Sequence, residues 1–163
     1  METRWQIRPL NSGDRDWVEQ FMVDHWGSAE MVAHGESILP ANLPGFVCFD
    51  GDQTLGLVTY RIAGENCEMV SLNSLREQEG IGSTLLETVV AESWLQNCQR
   101  VWLITTNDNL QALNFYQKRG FHIVKVIRGA VNLSRRQKPT IPLIGMNGIP
   151  ITDEIELTRP ISS

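Results

Sequence analysis

The chain has 163 residues, of which 42% are hydrophobic and 20% charged, and its formal net charge is −5 at pH 7. This length suits one domain with a buried core, and this hydrophobic content excludes a disordered chain. No apolar run is long enough to span a membrane, and the negative charge argues against nucleic acid as the main partner.

The first residues of the chain and its cysteines indicate the cellular location to expect. The first residues lack the apolar stretch of a signal peptide. Cys48, Cys67 and Cys98 are widely spaced and form no Cys-x-x-Cys pair, which argues against a disulfide framework and a zinc site. We therefore expect a cytoplasmic protein without a metal, in which Cys67 and Cys98 are small core residues.

The first part of the chain predicts a strand, a helix and an irregular stretch. Residues 5–9 indicate a strand, and Ser12 suits the start of the helix that follows. The apolar side of that helix carries Trp17, Val18, Phe21, Met22 and Trp26. We interpret residues 27–44 as a second short helix and a loop, because glycine and proline interrupt them.

Two turn signals follow. Residues 46–49 and 55–62 read as strands and flank Asp50-Gly51-Asp52, which predicts a hairpin. Residues 64–66 mark another turn, and it leads into a strand at 68–75.

The stretch at residues 76–86 is the most informative part of the chain. It places Gly80 and Gly82 at the start of a helix, directly after a strand-like segment. Backbone amides at a helix start point along the positive end of the helix dipole and suit a phosphate. The amides expected to converge are those of Gly80, Ile81, Gly82, Ser83 and Thr84. The segment lacks the third glycine of a dinucleotide fingerprint and the lysine of a P-loop.

A second strand and helix follow with a similar layout. Residues 101–106 indicate a buried strand, and one of residues 107–109 caps the next helix. That helix carries Ala112, Phe115, Tyr116 and Arg119 on neighbouring faces. Gly120 suits its carboxyl-terminal cap, and Phe121 begins the next strand.

The last part of the chain is loop-rich. A strand at 121–126 precedes a basic stretch at 128–138, a segment at 138–154 rich in proline and glycine, and a final strand at 154–158. We predict one α/β domain over residues 1–163, with antiparallel strands first and parallel pairing around the two helices.

The two motifs together resemble the GNAT superfamily of acetyl-CoA-dependent N-acyltransferases. They are the loop ending in Gly80-Ile-Gly82 and the segment Asn109-x-x-Ala112-x-x-x-Tyr116-x-x-x-Gly120-Phe121, in the order and separation of the family. The resemblance is strongest over residues 45–121. It implies a mixed, mostly antiparallel sheet of six to seven strands flanked by helices, with a splayed parallel pair at 68–75 and 101–106.

The resemblance also implies cofactor contacts. The backbone near Leu72, Asn73 and Leu75 is expected to pair with the pantetheine arm of acetyl-CoA, and the helix start at 80–84 to hold the pyrophosphate. On the second helix, the implied cofactor-binding residues are Asn109, Ala112 and Phe115, and Tyr116 approaches the sulfur.

Amine acetylation needs an acid and a base. The attacking amine must be neutral, although a free alkyl amine has a pKa near about 10, and the departing thiolate gains from a proton donor. Tyr116 is our candidate acid, against the alternative of a core aromatic beside Phe115. Glu68 is our candidate base, against that of a solvated strand residue. His25 and His34 are further candidates for the base, and other family members use a held water.

Acceptor residues are less constrained by motif. Trp26, Met31 and His34 are candidates for the acceptor pocket, and we favour core packing for Trp26. We favour a covering loop for 138–154, the alternative being a lid in which Asp153 or Glu154 meets a cationic substrate. The basic residues Arg128, Arg135, Arg136 and Lys138 are expected to form a solvated helix face, with contact to the cofactor's phosphate as the alternative.

We predict an N-acetyltransferase that moves an acetyl group from acetyl-CoA to a primary amine of a small molecule or peptide, through a tetrahedral intermediate. Glu77 stands where the family usually has Gln or Arg, and Glu79 adds a second carboxylate near the expected phosphates. The rival predictions are therefore a CoA-binding module with little catalysis, and transfer of another acyl group or to an oxygen acceptor. The resemblance also implies that the protein can be a homodimer.

Overall fold

Residues 4–161 are described in this computed structural model of the chain. Their strands are β1 (Gln6–Pro9), β2 (Met31–Ala33), β3 (Glu36–Ile38), β4 (Gly45–Asp50), β5 (Gln53–Ala63), β6 (Asn66–Ser74), β7 (Arg100–Thr106), β8 (His122–Ile127) and β9 (Glu154–Pro160). Their α-helices are α1 (Arg15–Trp26), α2 (Ile81–Leu95), α3 (Leu110–Gln117) and α4 (Ala130–Gln137).

One mixed sheet confirms the predicted fold class. Over residues 4–161 its seven strands follow the order β1-β4-β5-β6-β7-β9-β8, with β6 and β7 as the parallel pair, while β2 and β3 form a separate two-stranded sheet. Two compact units divide the chain. The first is drawn from Met1–Ala29, Leu39–Val101 and Ile161–Ser163, and the second from Glu30–Ile38 and Trp102–Pro160. The single acetyltransferase domain over 1–163 stays a prediction.

In the first unit, the predicted hairpin at 50–52 and the predicted turn at 64–66 are confirmed. Gly51 and Asp52 join β4 to β5, and Gly64 and Glu65 join β5 to β6. Both glycines have positive φ, the conformation that a tight turn requires. The core of this unit is apolar and includes Val47, Leu57, Val58, Leu85, Leu86 and Val89. Cys48, Cys67 and Cys98 are buried free thiols, as expected for small core residues.

Helix α2 is amphipathic over only part of its length. Leu85, Leu86 and Val89 are fully buried, whereas Trp94 and Leu95 are exposed over 54% and 67% of their surface. The buried side of α2 continues to Ser93, so Trp94 and Leu95 lie on the exposed side of its last turn.

The start of α1 differs in detail from the prediction. Asn11, not Ser12, provides the cap: its side chain accepts from the Gly13 amide and begins a short 3₁₀ turn. The Asp14 carboxylate accepts from the Asn11 amide, the Trp17 indole and both terminal nitrogens of Arg8. These donors hold the pKa of Asp14 well below its usual range, with the Arg8 contact as the largest cause.

The predicted short helix within 27–44 is wrong. Residues 31–38 form the β2–β3 hairpin instead, and the helical content of the region is a 3₁₀ turn at Pro40–Asn42. His34 and Gly35 are the two turn residues, with φ of 40° and 76°. Two consecutive residues with positive φ form the two-residue turn whose twist matches that of the two strands in a hairpin. The turn is hard to recognise in the sequence because His34-Gly35 is a less common pair for such a turn than Asn-Gly or Asp-Gly.

The rest of the second unit follows the predicted order. Asn109 caps α3, since its side chain accepts from the Ala112 amide at 3.1 Å. Beyond the helix Gly120 has φ of 87°, and the Phe121 amide donates to the carbonyl of Tyr116. That arrangement is a left-handed helix ending of the kind predicted.

Arg135 of α4 fixes the long segment before β9. Its guanidinium donates to the carbonyls of Ile141, Pro142 and Ile151, and to the Asn132 side chain. Lys138 donates to the carbonyl of Glu30 at 2.8 Å. The prediction of a wholly solvated basic face is therefore wrong for these two residues. No helix within residues 4–161 is both long enough and apolar enough to cross a membrane.

Candidate functional site

The loop between β6 and α2 leads into the helix start for which anion binding is predicted. Gly80 is the residue before the first turn and has φ of 79°, and Gln78 also has positive φ at 63°. The amides of Ile81 and Gly82 lie in the first turn, where a helix offers no earlier carbonyl to accept from them. Both amides can therefore serve an anionic ligand.

Thr84 has a different role from the one predicted. Its amide donates to the carbonyl of Gly80 at 2.9 Å, and its hydroxyl donates to the same oxygen at 2.8 Å. The amide is thus used in closing the first turn of α2 and is not among the converging donors. The Ser83 assignment stays a prediction.

Gly56 on β5 sets how closely α2 lies on the sheet. A Cβ there would come within 2.8 Å of Ile81, 2.9 Å of Leu85 and 2.9 Å of the Asn73 carbonyl. Real Cβ atoms essentially never make such contacts. The absence of a side chain at this position therefore allows the first turn of α2 to pack directly against β5.

The end of β6 carries the residues predicted to pair with the pantetheine arm. Leu72 and Asn73 lie in register with Val58 and Leu57 on β5. The Leu75 amide donates to the carbonyl of Leu55 at 2.8 Å, so β5 already uses this donor. A backbone contact from Leu75 to a ligand is left to its carbonyl.

Trp26 joins the end of α1 to the end of β6. Its indole nitrogen donates to the side-chain oxygen of Asn73 at 2.8 Å, and 44% of the residue is exposed. The preference for core packing at Trp26 is therefore wrong. This contact orients the Asn73 side chain, and no local sequence pattern signals it because the two residues are 47 positions apart.

Glu68 is a buried member of an ion pair. It is 5% exposed, and its Oε1 accepts from Nε of Arg61 at 2.8 Å, directly across the β5–β6 pairing. The alternative of a solvated strand residue is wrong. Sequence reasoning missed Arg61 because only the register of the two strands brings it opposite Glu68. The base role of Glu68 stays a prediction.

The acidic residues of the loop lie at the surface. Glu77 and Glu79 are exposed, and Nη1 of Arg76 lies 3.9 Å from Oε1 of Glu79. Arg76 also donates to the Gln53 side chain. A surface pair at this distance is weak, but it offsets part of the negative charge beside the helix start.

In the second unit, α3 carries the other predicted cofactor residues. Asn109 and Ala112 are joined by the cap described above, and Phe115 is half-buried. The guanidinium of Arg119 lies 3.7 Å from the centre of the Phe115 ring and donates to the Phe115 carbonyl. The ring of Phe115 thus has a cation on its face.

Tyr116 sits among aromatic rings. Its ring meets those of Phe115 and Phe121 edge-on, with centroids 5.1 and 5.4 Å away. Burial raises the pKa of the Tyr116 hydroxyl above its ordinary value. The hydroxyl therefore stays protonated at neutral pH, which is the form that a proton donor needs.

The two candidate histidines have different environments. His25, near the end of α1, is exposed, and its ring packs on Phe21 at 4.3 Å between centroids. His34 occupies the β2–β3 turn in the second unit, with Nδ1 3.6 Å from the Glu36 carboxylate and its ring 5.8 Å from that of Trp102. Met31 is half-buried at the start of β2.

The two carboxylates considered for a cationic substrate are engaged within the second unit. Asp153 accepts from the Gly129 amide at 2.9 Å. Glu154 is 3% exposed and accepts from the His34 amide. Sequence analysis did not foresee the Glu154 contact, which joins residues 120 positions apart.

Comparisons with known proteins agree with this description. A model of the acetyltransferase (GNAT) family matches residues 13–121. Two proteins of Bacillus subtilis (strain 168), YdhI and YxbD, both described as uncharacterized, are each 40% identical over 156 residues. Each alignment covers 95% of this chain and 98% of the relative.

Solved structures share the fold. A GNAT family acetyltransferase from Elizabethkingia anophelis, with acetyl-CoA bound, has a TM-score of 0.70 and 19% identity over 98% of this chain and 99% of its own. An IAA acetyltransferase from Bacillus cereus ATCC 14579 has a TM-score of 0.68 and 17% identity over 96% and 99%. A Bacillus subtilis acetyltransferase in complex with CoA has a TM-score of 0.67 and 15% identity over 99% and 100%. With a family model across residues 13–121 and two relatives at 40% identity, the chain belongs to the GNAT family of acetyltransferases.

Proposed function

We propose that the protein transfers an acetyl group from acetyl-CoA to a primary amine of a small molecule or peptide, by direct attack of the amine. The observation that carries the proposal is the start of α2, where a left-handed Gly80 precedes the amides of Ile81 and Gly82. Family membership supports acyl-CoA use, and two of the similar structures contain acetyl-CoA or CoA.

The residues at the first-turn site fit a pyrophosphate. Ile81 and Gly82 contribute backbone donors, whose charge preference is set by the helix dipole and not by side chains. Acetyl-CoA, when bound, supplies a thioester activated toward an amine. Asn73, held by Trp26, and Asn109, Ala112 and Phe115 of α3 are proposed as further cofactor contacts.

Tyr116 is proposed to give a proton to the departing sulfur. Its raised pKa keeps the hydroxyl neutral, and a neutral hydroxyl can donate a hydrogen bond and then a proton. Glu68 is proposed to take a proton from the attacking nitrogen. The ion pair with Arg61 would hold the Glu68 carboxylate in place for that transfer.

The finer details rest on family membership and composition. We propose a primary amine as the acceptor and a cytoplasmic location. A homodimer stays a prediction, which light scattering at several concentrations tests directly.

Calorimetric titration with acetyl-CoA and CoA, followed by an amine screen that detects free thiol, tests the proposed function. We expect acetyl-CoA binding in the micromolar range, and thiol release that requires an amine. Dephospho-CoA serves as the control ligand. Absence of binding would refute the proposal.

Tyr116→Phe separates catalysis from binding. We expect it to lower kcat by about 100-fold or more, because an acid contributes that much, while the Kd of acetyl-CoA stays within about twofold. Tyr60→Phe is the matched control, since Tyr60 is a buried tyrosine stacked on Phe46 and has no proposed role in catalysis. Equal activity of Tyr116→Phe and wild type would remove Tyr116 from the acid role.

A CoA-binding module with little catalysis is the second candidate. The exposed carboxylates of Glu77 and Glu79 beside the helix start favour it, because negative charge there opposes phosphate binding. Binding of acetyl-CoA without thiol release for any amine would favour the module over the enzyme.

A further inference from the structure

We propose that the Ser71 hydroxyl donates a hydrogen bond to the thioester carbonyl oxygen of acetyl-CoA, and to the oxyanion that forms on that oxygen during transfer. The inference rests on the proposed function and deepens it by naming a further residue of the reaction. It is argued from β5 and β6, which both belong to the first unit.

Ser71 and Thr59 form a buried pair of hydroxyl groups across β5 and β6. The two residues are opposite each other in the strand register, and their side-chain oxygens lie 2.6 Å apart. Two hydroxyl groups carry two hydrogens, and the bond between them uses one. Within the described part of the chain neither oxygen has another hydrogen-bond partner. One hydrogen of the pair is therefore left to donate to a ligand.

Ser71 is the member of the pair that a ligand can reach. Thr59 is fully buried, whereas Ser71 keeps 5% exposure. Leaving a buried donor without an acceptor is costly, so the favoured arrangement has Thr59 donating to Ser71 and Ser71 donating outward. The bond from Thr59 then holds the Ser71 oxygen in place before a ligand binds, which is the preorganisation that oxyanion stabilisation needs.

A β-bulge brings Ser71 to the same face of β6 as Glu68. Val70 is the extra residue at a shift in the register between β5 and β6. Glu68, Ser71 and Asn73 pair with alternate residues of β5, so their side chains share one face of the sheet. An unbroken strand would put residue 70 on that face in place of residue 71. Bulges occur often beside active sites, where they redirect a side chain in this way.

The predicted cofactor contacts give β6 a direction. The helix start that follows β6 is the proposed pyrophosphate site, and Leu75, Asn73 and Leu72 are the predicted contacts of the pantetheine arm. The arm carries the thioester at its far end, so it extends from residue 75 back toward residue 72. Glu68, the proposed base, lies further along β6 in the same direction. Ser71 thus stands between the last arm contact and the base, where the thioester carbon must lie for both to act.

The reaction develops negative charge on the oxygen that Ser71 would bind. The amine nitrogen attacks the thioester carbon with its lone pair, and the π electrons of the C=O bond move to oxygen. When the oxyanion collapses, the C=O bond forms again, and the sulfur leaves with the C–S electron pair and takes a proton from the proposed acid. The proton lost by nitrogen goes to the proposed base, and Ser71 keeps its own proton throughout. A fixed donor stabilises the oxyanion more than the uncharged thioester, and that difference accelerates transfer.

Ser71→Ala and Thr59→Val are matched variants. Each deletes the same hydrogen bond between the strands, but only Ser71→Ala removes the proposed donor. With an amine identified in the screen described above, we expect Ser71→Ala to lower kcat at least about 10-fold, because loss of an oxyanion donor is costly. Thr59→Val should lower kcat by no more than about threefold, because the Ser71 hydroxyl remains.

Calorimetry with acetyl-CoA and CoA provides a readout that needs no acceptor. CoA lacks the carbonyl group, so a hydrogen bond from Ser71 favours acetyl-CoA alone. The ratio of the CoA Kd to the acetyl-CoA Kd should fall at least about threefold in Ser71→Ala, and it should change by less than about twofold in Thr59→Val.

The melting temperature separates this role from a purely structural one. It should fall by similar amounts in the two variants, because both lose the bond between the strands. An unchanged Kd ratio in folded Ser71→Ala, or equal losses of kcat in the two variants, would overturn the inference alone. Absence of acetyl-CoA binding by the wild-type protein would refute the proposed function, and the inference with it.

Discussion

At the scale of single residues, two glycines determine the geometry of the candidate phosphate site. Gly80 adopts a φ of 79°, which side chains disfavour, and Gly56 leaves the space that the first turn of α2 fills. The first effect concerns the backbone of the loop itself. The second concerns packing between two segments that are distant in sequence.

Gly56→Ala is expected to disturb both stability and binding. The added methyl group would meet Ile81, Leu85 and the Asn73 carbonyl, so we expect a loss of about 1–3 kcal/mol in the free energy of unfolding. Because Ile81 opens α2, the Kd of acetyl-CoA should rise at least about threefold. Chemical denaturation and calorimetry measure the two effects.

Gly45→Ala is the matched control for Gly56→Ala. Its Cβ would also clash, with the Val58 carbonyl and the Leu10 side chain, but it does not meet α2. It should therefore reduce stability without changing the affinity of the folded protein for acetyl-CoA. Equal loss of affinity in the two variants would contradict the role assigned to Gly56.

At the scale of elements, Arg135 is one of three side chains that hold the segment between α4 and β9, together with Asn107 and Asp108. Arg135 donates to three carbonyls, of Ile141, Pro142 and Ile151, and each bond joins α4 to a chain segment without regular structure. These bonds attach the segment to α4, and its role as a covering loop stays a prediction.

Arg135→Ala is expected to loosen that segment. The loss of charge-assisted hydrogen bonds should lower the free energy of unfolding by about 2–4 kcal/mol, and amide exchange at 139–151 should accelerate. Arg136→Ala is the control, because Arg136 is the exposed neighbour, and it should cost no more than about 0.5 kcal/mol. Unchanged exchange in Arg135→Ala would show that other contacts hold the segment.

At the scale of the whole molecule, buried thiol and tyrosine hydroxyl groups have raised pKa values. The free energy of unfolding therefore depends on pH in the alkaline range. Burial raises the pKa of Cys48 and of Cys67 from 9.0 to about 11, and that of Tyr60 from 10.0 to about 12. In the unfolded chain these groups release their protons at lower pH than in the folded protein. The unfolded state then binds fewer protons, so stability falls as pH rises.

We therefore expect the free energy of unfolding to decline between about pH 9 and pH 12. Cys67 alone accounts for about 2–3 kcal/mol of the decline, because its pKa rises from 9.0 to about 11 on folding. Cys67→Ala should be less stable at pH 7 because it leaves a cavity, yet lose less stability over this range. Urea denaturation at several pH values measures how the free energy of unfolding changes with pH. The same change in wild type and in Cys67→Ala would contradict the contribution assigned to Cys67.

Sequence by itself determined the features that depend on local backbone chemistry. The turn at Gly51, the helix start at Gly80, the Asn109 cap and the helix ending at Gly120 follow from φ preferences and short-range hydrogen bonds, and the two motifs carried the family and the fold. The hairpin turn at His34 depends on the same local φ preferences, but His-Gly signals it less clearly than Asn-Gly.

Tertiary structure alone decided which side chains meet. Strand register put Arg61 opposite Glu68, and folding brought Trp26 to Asn73 and Glu154 to the amide of His34. Helical spacing likewise could not reveal that Trp94 and Leu95 are exposed while their neighbour Ser93 is buried. The physical reason is that periodicity encodes which face of an element is apolar, whereas burial and pairing depend on what the rest of the chain brings to that face.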